Sequence, residues 1–469
     1  MERRHFLAAG MTAAAASALH AQDLYRPYRG QKIVVSYPGP HPHYDAAQTL
    51  FDRFTSETGI LVERDRTPYL DMHDKQVAEM RRQQGGYDVV TYLLTWKNEY
   101  ARRALLRPLD DMLVGPLAQP GYALQDIIPG YLESIGRVGG PGSYLPRSPA
   151  QLYGLPYGAE TSVLGYRRDV LERLKLPIPT NYTELLSACE MVRDKEKIGG
   201  LASRTSAGHQ IVHAWLLHLT PHGGQVFDGN YHAVLQNEAG VRAAEVLARI
   251  VQTGPEGLGA NAGFGEMQEA FLSGRSAFYL DSLTVMNLAH DPKRSRVAGK
   301  VAYAMHPTAR TWSGLTGGFG LGVPANARNP EAAFLFIQWL TNKENDLRVA
   351  VSGGNAGRWS TLSDAEFRSR RPEQSILPYA LKIANPAWRP LIPEWDTMAR
   401  DVIGQALPDV LSGKRTAAAA LAACVAPLDA MVAASDWRKT RTGRAADGDP
   451  AAAQHVGAVP AAFSSSSTA

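Results

Sequence analysis

The chain is 469 residues long, 45% hydrophobic and 20% charged, with a formal net charge of +4. That composition describes a globular protein of about two to four domains, each able to bury a core. So small a charge, with no Lys/Arg block beyond a solvated face, excludes nucleic acid as an expected partner, and no apolar run approaches the length of a membrane span.

The chain opens "MERRHFLAAGMTAAAASALHAQD". Arg3 and Arg4 precede Phe6 and Leu7, and a mildly apolar, alanine-rich stretch ends in small residues before Gln22. This is the layout of a cleaved export signal over residues 1–21, and the Arg-Arg-x-Phe-Leu core points to the twin-arginine route. Cleavage after Ala18 or after Ala21 satisfies the small-x-small rule. Removing residues 1–21 deletes two arginines and one glutamate and lowers the charge from +4 to +3. With no cysteine nearby, a lipid anchor is not expected, and the sequence predicts a soluble periplasmic protein.

Residues 33–37 form a short apolar run, read as a buried strand. Ala47, Leu50, Phe51 and Phe54 then recur at helical spacing, and Gly59 stops the helix. Residues 60–63 read as a second strand, about 70–83 as a helix closed by Gly85 and Gly86, and "YDVVTYLL" at 87–94 as a third strand. Alternating strands and helices predict a parallel sheet with crossover helices. The stretch "GGPGSYLPRSP" at 139–149 marks a domain boundary or crossing. A strand follows at 162–166, then a helix within 179–194 with Thr180 as its N-cap, and another near 239–251. Asn329 caps a later helix, with Pro330 in its first position. From 438 to 469 the chain is Ala/Ser/Gly-rich and lacks the periodicity of a core, which predicts a disordered tail. Cys189 and Cys424 are the only cysteines. Both fall on apolar helical stripes and read as buried thiols, with a disulfide as the alternative.

Catalytic and cofactor signatures are missing: there is no HExxH, GxSxG, CxxC or P-loop. "GLGANA" at 257–262 matches a dinucleotide fingerprint only formally, because no strand precedes it. Asp110 and Asp111 read as the opening of a helix. His209, His213, His218 and His222 do not converge at about 100° per helical residue, and Pro221 interrupts the helix before His222. They read as two surface or cleft-edge pairs, not a metal site. His41 and His43 offer two ligands at most, with Pro42 restricting their convergence. Trp96, Trp215, Trp312, Trp359, Trp388 and Trp395, with Tyr37, Tyr44, Tyr92 and Tyr157 at strand ends, suggest stacking faces in a cleft at the carboxyl ends of parallel strands. Such faces suit the C–H faces of sugars.

Five segments in order resemble the extracellular solute-binding protein family 1 of bacterial ABC importers, the carbohydrate-binding type. They are "YDVVTYLLTWKNEYARRALLRPLDDML", "LYGLPYGAETSVLGYRRDVLERLKLPIPTNYTELLSACEMV", "WLLHLTPHGGQVFDGNYHAVLQNEAGVRAAEVL", "FLSGRSAFYLDS" and "TGGFGLGVPANARNPEAAFLFIQWL". The resemblance covers about residues 31–435. It implies an α/β fold of two lobes with a hinge and an interlobe ligand cleft: lobe 1 at 31–143 plus 317–365, lobe 2 at 150–310 plus 370–435. It implies a monomeric binding component with no cofactor. That component closes on a sugar, oligosaccharide, polyol or sugar acid and delivers it to ABC permease membrane subunits. The competing classes are an exported hydrolase or lyase and a solute-sensing subunit.

Carried onto this sequence, the resemblance places His41, His43 and Tyr44 in the first cleft loop, Thr95 and Trp96 at the end of the third strand, and Tyr157 and Glu160 in a Gly-x-Pro-Tyr turn. Asp281 stands where the family usually reads Gly-Asp-Trp; here it is Leu-Asp-Ser, so the expected stacking Trp is absent. Gly317, Gly318 and Phe319 would line the cleft. Arg358 and Trp359 would face the ligand, Arg358 suiting an acidic sugar or, equally, tying the hinge.

Overall fold

The computed structural model describes residues 24–438. The expected export signal and all but the first residue of the expected tail lie outside them. In chain order the strands are β1 (Lys32–Pro38), β2 (Leu61–Thr67), β3 (Val89–Leu93), β4 (Arg137–Val138), β5 (Gln151–Leu152), β6 (Leu155–Pro156), β7 (Glu160–Arg167), β8 (Gly199–Ala202), β9 (Ser276–Ser282), β10 (Val301–Ala304), β11 (Gly314–Gly317), β12 (Phe319–Gly322) and β13 (Ala384–Asn385). The first sheet runs β2-β1-β3-β12-β6. The second runs β13-β11-β7-β9-β8, with β10 also on β7, and β4 pairs with β5 apart from both. β1, β2 and β3 are parallel, as the strand–helix alternation predicts, while β12 and β6 close that sheet antiparallel.

Each sheet has its own core. Ile33, Val35 and Tyr37 of β1 are fully buried. Beneath them Phe51 and Phe54 of helix Thr49–Thr58 meet Phe336 of helix Pro330–Leu340 edge-on, ring centroids 5.1 and 5.0 Å apart. In the second half, Leu164, Phe278 and Leu280 bury against Leu185, Cys189 and Val192 of helix Tyr182–Glu196. Burying a side chain of this size contributes about 1.5–3 kcal/mol. Cys189 and Cys424 are both buried and unpaired.

Local signals mostly fall where expected. Gly59 ends the second helix at φ 75°, and Asn329 and Pro330 open helix Pro330–Leu340. The Asn329 side chain donates to the Lys32 carbonyl at 2.9 Å, tying that helix to β1. The N-cap at 179–194 is shifted by one residue: it is Asn181, accepting from the Glu184 N–H at 3.0 Å. The Thr180 carbonyl instead accepts from Thr308 N–H at 2.9 Å, which keeps Thr180 in the extended strand-like segment. Among the described residues one helix, Ala417–Ala434, is long and apolar enough to cross a membrane by length and composition. No such run is expected from the sequence alone. Its apolarity is alanine, and Leu421, Cys424, Leu428 and Val432 bury in the second half's core.

The chain changes sheet between β6 and β7, at residues 157–159. That is later than the glycine- and proline-rich stretch at 139–149, because Pro156 and Leu155 pair with Gly320 and Leu321 in the first sheet. It changes back between β11 and β12, at Gly318 alone. These two crossings lie against each other: Tyr157 N–H donates to the Phe319 carbonyl at 2.9 Å. Gly318 has φ 96°, and a Cβ there would stand 2.3 Å from the Gly158 carbonyl oxygen. Only glycine fits on both counts. Gly318→Ala is expected to lower unfolding stability by about 1–3 kcal/mol, read as a reduced urea midpoint at unchanged m-value. A midpoint within error of wild type would remove the steric argument.

Candidate functional site: a polar cleft beside an aromatic hinge

The loop after β1 folds onto the crossings. Tyr37 Oη donates to the Tyr44 carbonyl at 3.0 Å, and Tyr44 Oη donates to the Tyr157 carbonyl at 2.9 Å. The His43 ring stands edge-on to Tyr157 at 4.5 Å, and Tyr44 edge-on to Phe319 at 5.5 Å. His43 is 2% exposed, and its Nδ1 accepts from Asn355 N–H at 3.0 Å. Asn355 in turn donates to the Ala159 carbonyl at 3.1 Å. Burial, with His41 adjacent, pulls the His43 pKa well below its ordinary value. His43, Tyr44 and Tyr157 therefore pack the hinge. His41 stands at its edge, with Nε2 3.3 Å from Glu160 Oε1, and Gly317 pairs with Glu160 across the sheet.

Arg358 is 1% exposed and bonded elsewhere in the first half through Nε and one terminal nitrogen, while its other terminal nitrogen has no hydrogen-bond partner. Its Nε donates to the Thr341 carbonyl at 2.8 Å, and one terminal nitrogen donates to the Ala123 carbonyl at 2.9 Å. That nitrogen also lies 3.4 Å from Asp126, and the guanidinium covers the Tyr122 ring. Of the two roles expected for Arg358, the structure favours tying over facing a ligand: it joins the end of helix Pro330–Leu340 to residues 122–126. Trp359 packs at the core margin. The tryptophans expected as stacking faces divide likewise: Trp215 and Trp395 are core, and Trp312 is exposed.

Thr95 and Trp96 leave β3 buried, and Thr95 Oγ1 has no hydrogen-bond partner. Trp96 lies against His73, ring centroids 5.3 Å apart. His73 bonds Glu99 at 2.8 Å and Asp74 at 2.9 Å. Burial lowers its pKa, but these two carboxylates outweigh burial and leave it raised.

The second half presents Asp281 at zero exposure. Arg204 grips it with two bonds of 2.9 and 2.5 Å, and His213 Nε2 lies 3.3 Å from the same carboxylate. Burial alone would raise the Asp281 pKa; Arg204 and His213 outweigh it and hold the group below its usual range. Arg204 also donates to Gln210 at 3.1 Å, and Gln210 donates to Tyr69 Oη at 2.9 Å. Tyr69 begins the helix after β2, so Arg204 and Asp281 sit where the two halves touch. Arg389 completes the group, donating to His213 Nδ1 at 3.1 Å. Sequence reasoning found Asp281 but missed Arg204, Arg389 and Tyr69. Arg204 had a usable signal, since it lies just beyond the carboxyl end of β8. Arg389, in an irregular segment, had none.

The expected His218–His222 surface pair is also corrected. His218 is buried and bonds Tyr182 Oη at 2.9 Å; that hydroxyl reaches His306 at 3.0 Å, and His306 reaches Ser162 at 2.8 Å. The helix His209–Leu219 ends before His222, as Pro221 requires. Among the described residues no three His, Cys, Asp or Glu side chains gather where they could hold a metal ion.

Two α/β halves, joined by tightly packed crossings and meeting at a buried polar cluster, define a protein that closes on a solute. The family model for bacterial extracellular solute-binding proteins matches residues 38–346, and the chain belongs to that family. It is a binding protein, not an enzyme. It is similar to a probable amino-acid ABC transporter periplasmic-binding protein of Sinorhizobium fredii, 26% identical over 79% of this chain and 82% of that one. It is also similar to the mannitol-binding protein of Pseudomonas aeruginosa, 24% identical over 75% and 82%. The fold matches an ABC transporter solute-binding protein of Agrobacterium radiobacter in complex with ribitol, with a TM-score of 0.77 and 24% identity over 86% of this chain and 99% of that one.

His213 and His306 are held neutral, their pKa lowered to about 4, by burial first and, at His213, by Arg204 next. In the unfolded chain they protonate near 6.5. Between these values the unfolded state binds more protons, so stability is lost as pH falls from about 6.5 toward 4. Urea unfolding at pH 7.5, 5.5 and 4.5 is expected to show a loss on the order of 1–3 kcal/mol over that window. A midpoint that stays flat down to pH 4.5 contradicts the neutral assignment.

Proposed function

We propose that the protein captures a small polyhydroxylated solute, a sugar or polyol, between its two halves and delivers it to ABC permease subunits from the periplasm. One observation carries this reading: the buried Arg204–Asp281 pair at the contact between halves, together with buried polar atoms on Thr95, His41 and Gln268 that have no hydrogen-bond partner. A hydroxyl both donates and accepts. A polyol therefore satisfies the carboxylate oxygens of Asp281 and the idle donors around it together. Burying those donors unpaired costs about 1–3 kcal/mol each, so a solute that pairs them favours closure. Aromatic surface at Trp96 supplies an apolar wall. The mannitol-binding relative and the ribitol-bound structure support the same solute class. Of the expected ligand residues, His41, Thr95, Trp96, Glu160 and Asp281 are assigned to the solute. His43, Tyr44, Tyr157, Gly317, Gly318 and Phe319 are assigned to the hinge that brings them together.

Thermal-shift and calorimetric screening against polyols, sugars and sugar acids is expected to give at least one solute that stabilises the fold. At 100 times its dissociation constant it should add about 2.7 kcal/mol. Thr95→Val is isosteric and removes a hydroxyl with no partner in the fold. It should weaken that solute about 3- to 10-fold without lowering the melting temperature. If only non-hydroxylated compounds bind, the reading fails.

A further inference from the structure

The buried charges of the cleft do not balance, and the imbalance sits on one side chain. Arg389 is 4% exposed. One terminal nitrogen donates to His213 Nδ1, its guanidinium carbon lies 4.0 Å from the Trp388 ring centroid, and its Nε has no hydrogen-bond partner. Because arginine can only donate, His213 Nδ1 must be the accepting nitrogen. The single N–H of the neutral imidazole is then on Nε2, toward Asp281. His213 is therefore an uncharged spacer between a cation and a carboxylate.

Three carboxylates act on Arg389 electrostatically: Asp396, Asp281 and Glu160. Each has a nearer partner. Asp281 is held by Arg204 at 2.5 Å, Glu160 faces His41 at 3.3 Å, and Asp396 lies 3.7 Å from Arg400. Among the described residues no carboxylate comes within 4.0 Å of Arg389. A buried cation of this kind is costly unless a counter-charge reaches it, and stacking on one indole offsets only part of that cost.

We propose that Arg389 anchors an anionic group of the captured solute, so that the cleft takes a polyhydroxy acid anion, such as an aldonate, in preference to the neutral polyol. This rests on the solute class proposed above. The carboxylate accepts from the idle Nε and supplies the missing charge, while the hydroxyl chain reaches Asp281, one imidazole width away. Burial, and after it repulsion from Arg204, brings the Arg389 pKa down to about 9, the direction expected of a cation awaiting its counter-ion. At neutral pH the guanidinium remains charged. A neutral polyol can occupy the Asp281 side but leaves Arg389 uncompensated.

Titration calorimetry at pH 7.5 with D-mannitol against D-mannonate, and ribitol against ribonate, tests this. The wild-type protein is expected to bind an aldonate at least about tenfold more tightly than its polyol. Arg389→Gln should weaken the aldonate about 10- to 100-fold and the polyol less than about threefold, whereas Arg389→Lys should keep the preference for the acid. Should Arg389→Gln fail to fold by circular dichroism, the wild-type preference and the lysine variant decide. Equal or tighter binding of the neutral polyol, or equal weakening of both ligands in Arg389→Gln, overturns the assignment while leaving the solute class standing. Binding of no polyol, sugar or sugar acid in the wider screen overturns the solute class itself, and the anionic assignment with it.

Discussion

The rest of the molecule depends on the close approach of two backbone crossings, residues 157–159 and Gly318. A single residue separates β11 from β12, so one sheet ends and the other begins with no linker between them. The aromatic rings of Tyr37, Tyr44 and Tyr157 and the imidazole of His43 fill the space around that junction. The Tyr37 and Tyr44 hydroxyls and His43 Nδ1 bond backbone, and all four side chains are buried, so the hinge is dense. Rigid halves joined by so compact a joint can swing as bodies, which is what solute capture by closure requires.

The cleft has the opposite character. Its polar atoms are abundant, and several are left unpaired by the protein itself. The low-dielectric setting makes each unpaired group expensive and each satisfied one strong. The energetic difference between open and closed forms is therefore sensitive to whatever enters. Closure is a population shift whose size equals the solute's preference for the closed form. The Arg204–Asp281 pair is fixed by two charge-assisted bonds and by Gln210, so it presents its remaining oxygen lone pairs in a set direction. The link from Gln210 to Tyr69 carries that order across to the other half.

Much of the fold was legible in the sequence, for identifiable reasons. Apolar runs too short for helices mark β1 and β3 because interior parallel strands bury both faces, while the edge strand β2 is polar and mostly half-exposed and shows only in its first residues. Gly59 and Pro330 are local devices whose effect depends on their own backbone, and both act as read, whereas Asn329 takes the N-cap position without a side-chain cap bond and gives its amide to Lys32. Thr180 failed as a cap because its carbonyl is claimed by Thr308, a partner 128 positions away. The hinge residues were picked out but given the wrong neighbours. A histidine beside a tyrosine in a loop looks the same whether it faces ligand or the polypeptide's own crossing.

Taken by itself, the sequence determined the class of fold, the order of its elements and the membership of a solute-binding family. These rest on periodicity and on motifs spaced a few residues apart, and that information is local. Only the tertiary structure decided which side chains share the cleft. Arg204, His213, Asp281 and Arg389 come from four separate segments, and Arg358 turns away to Thr341 and Ala123. Charge pairing falls off over a few ångströms, so no reading along the chain could tell which arginine had found its carboxylate and which had not.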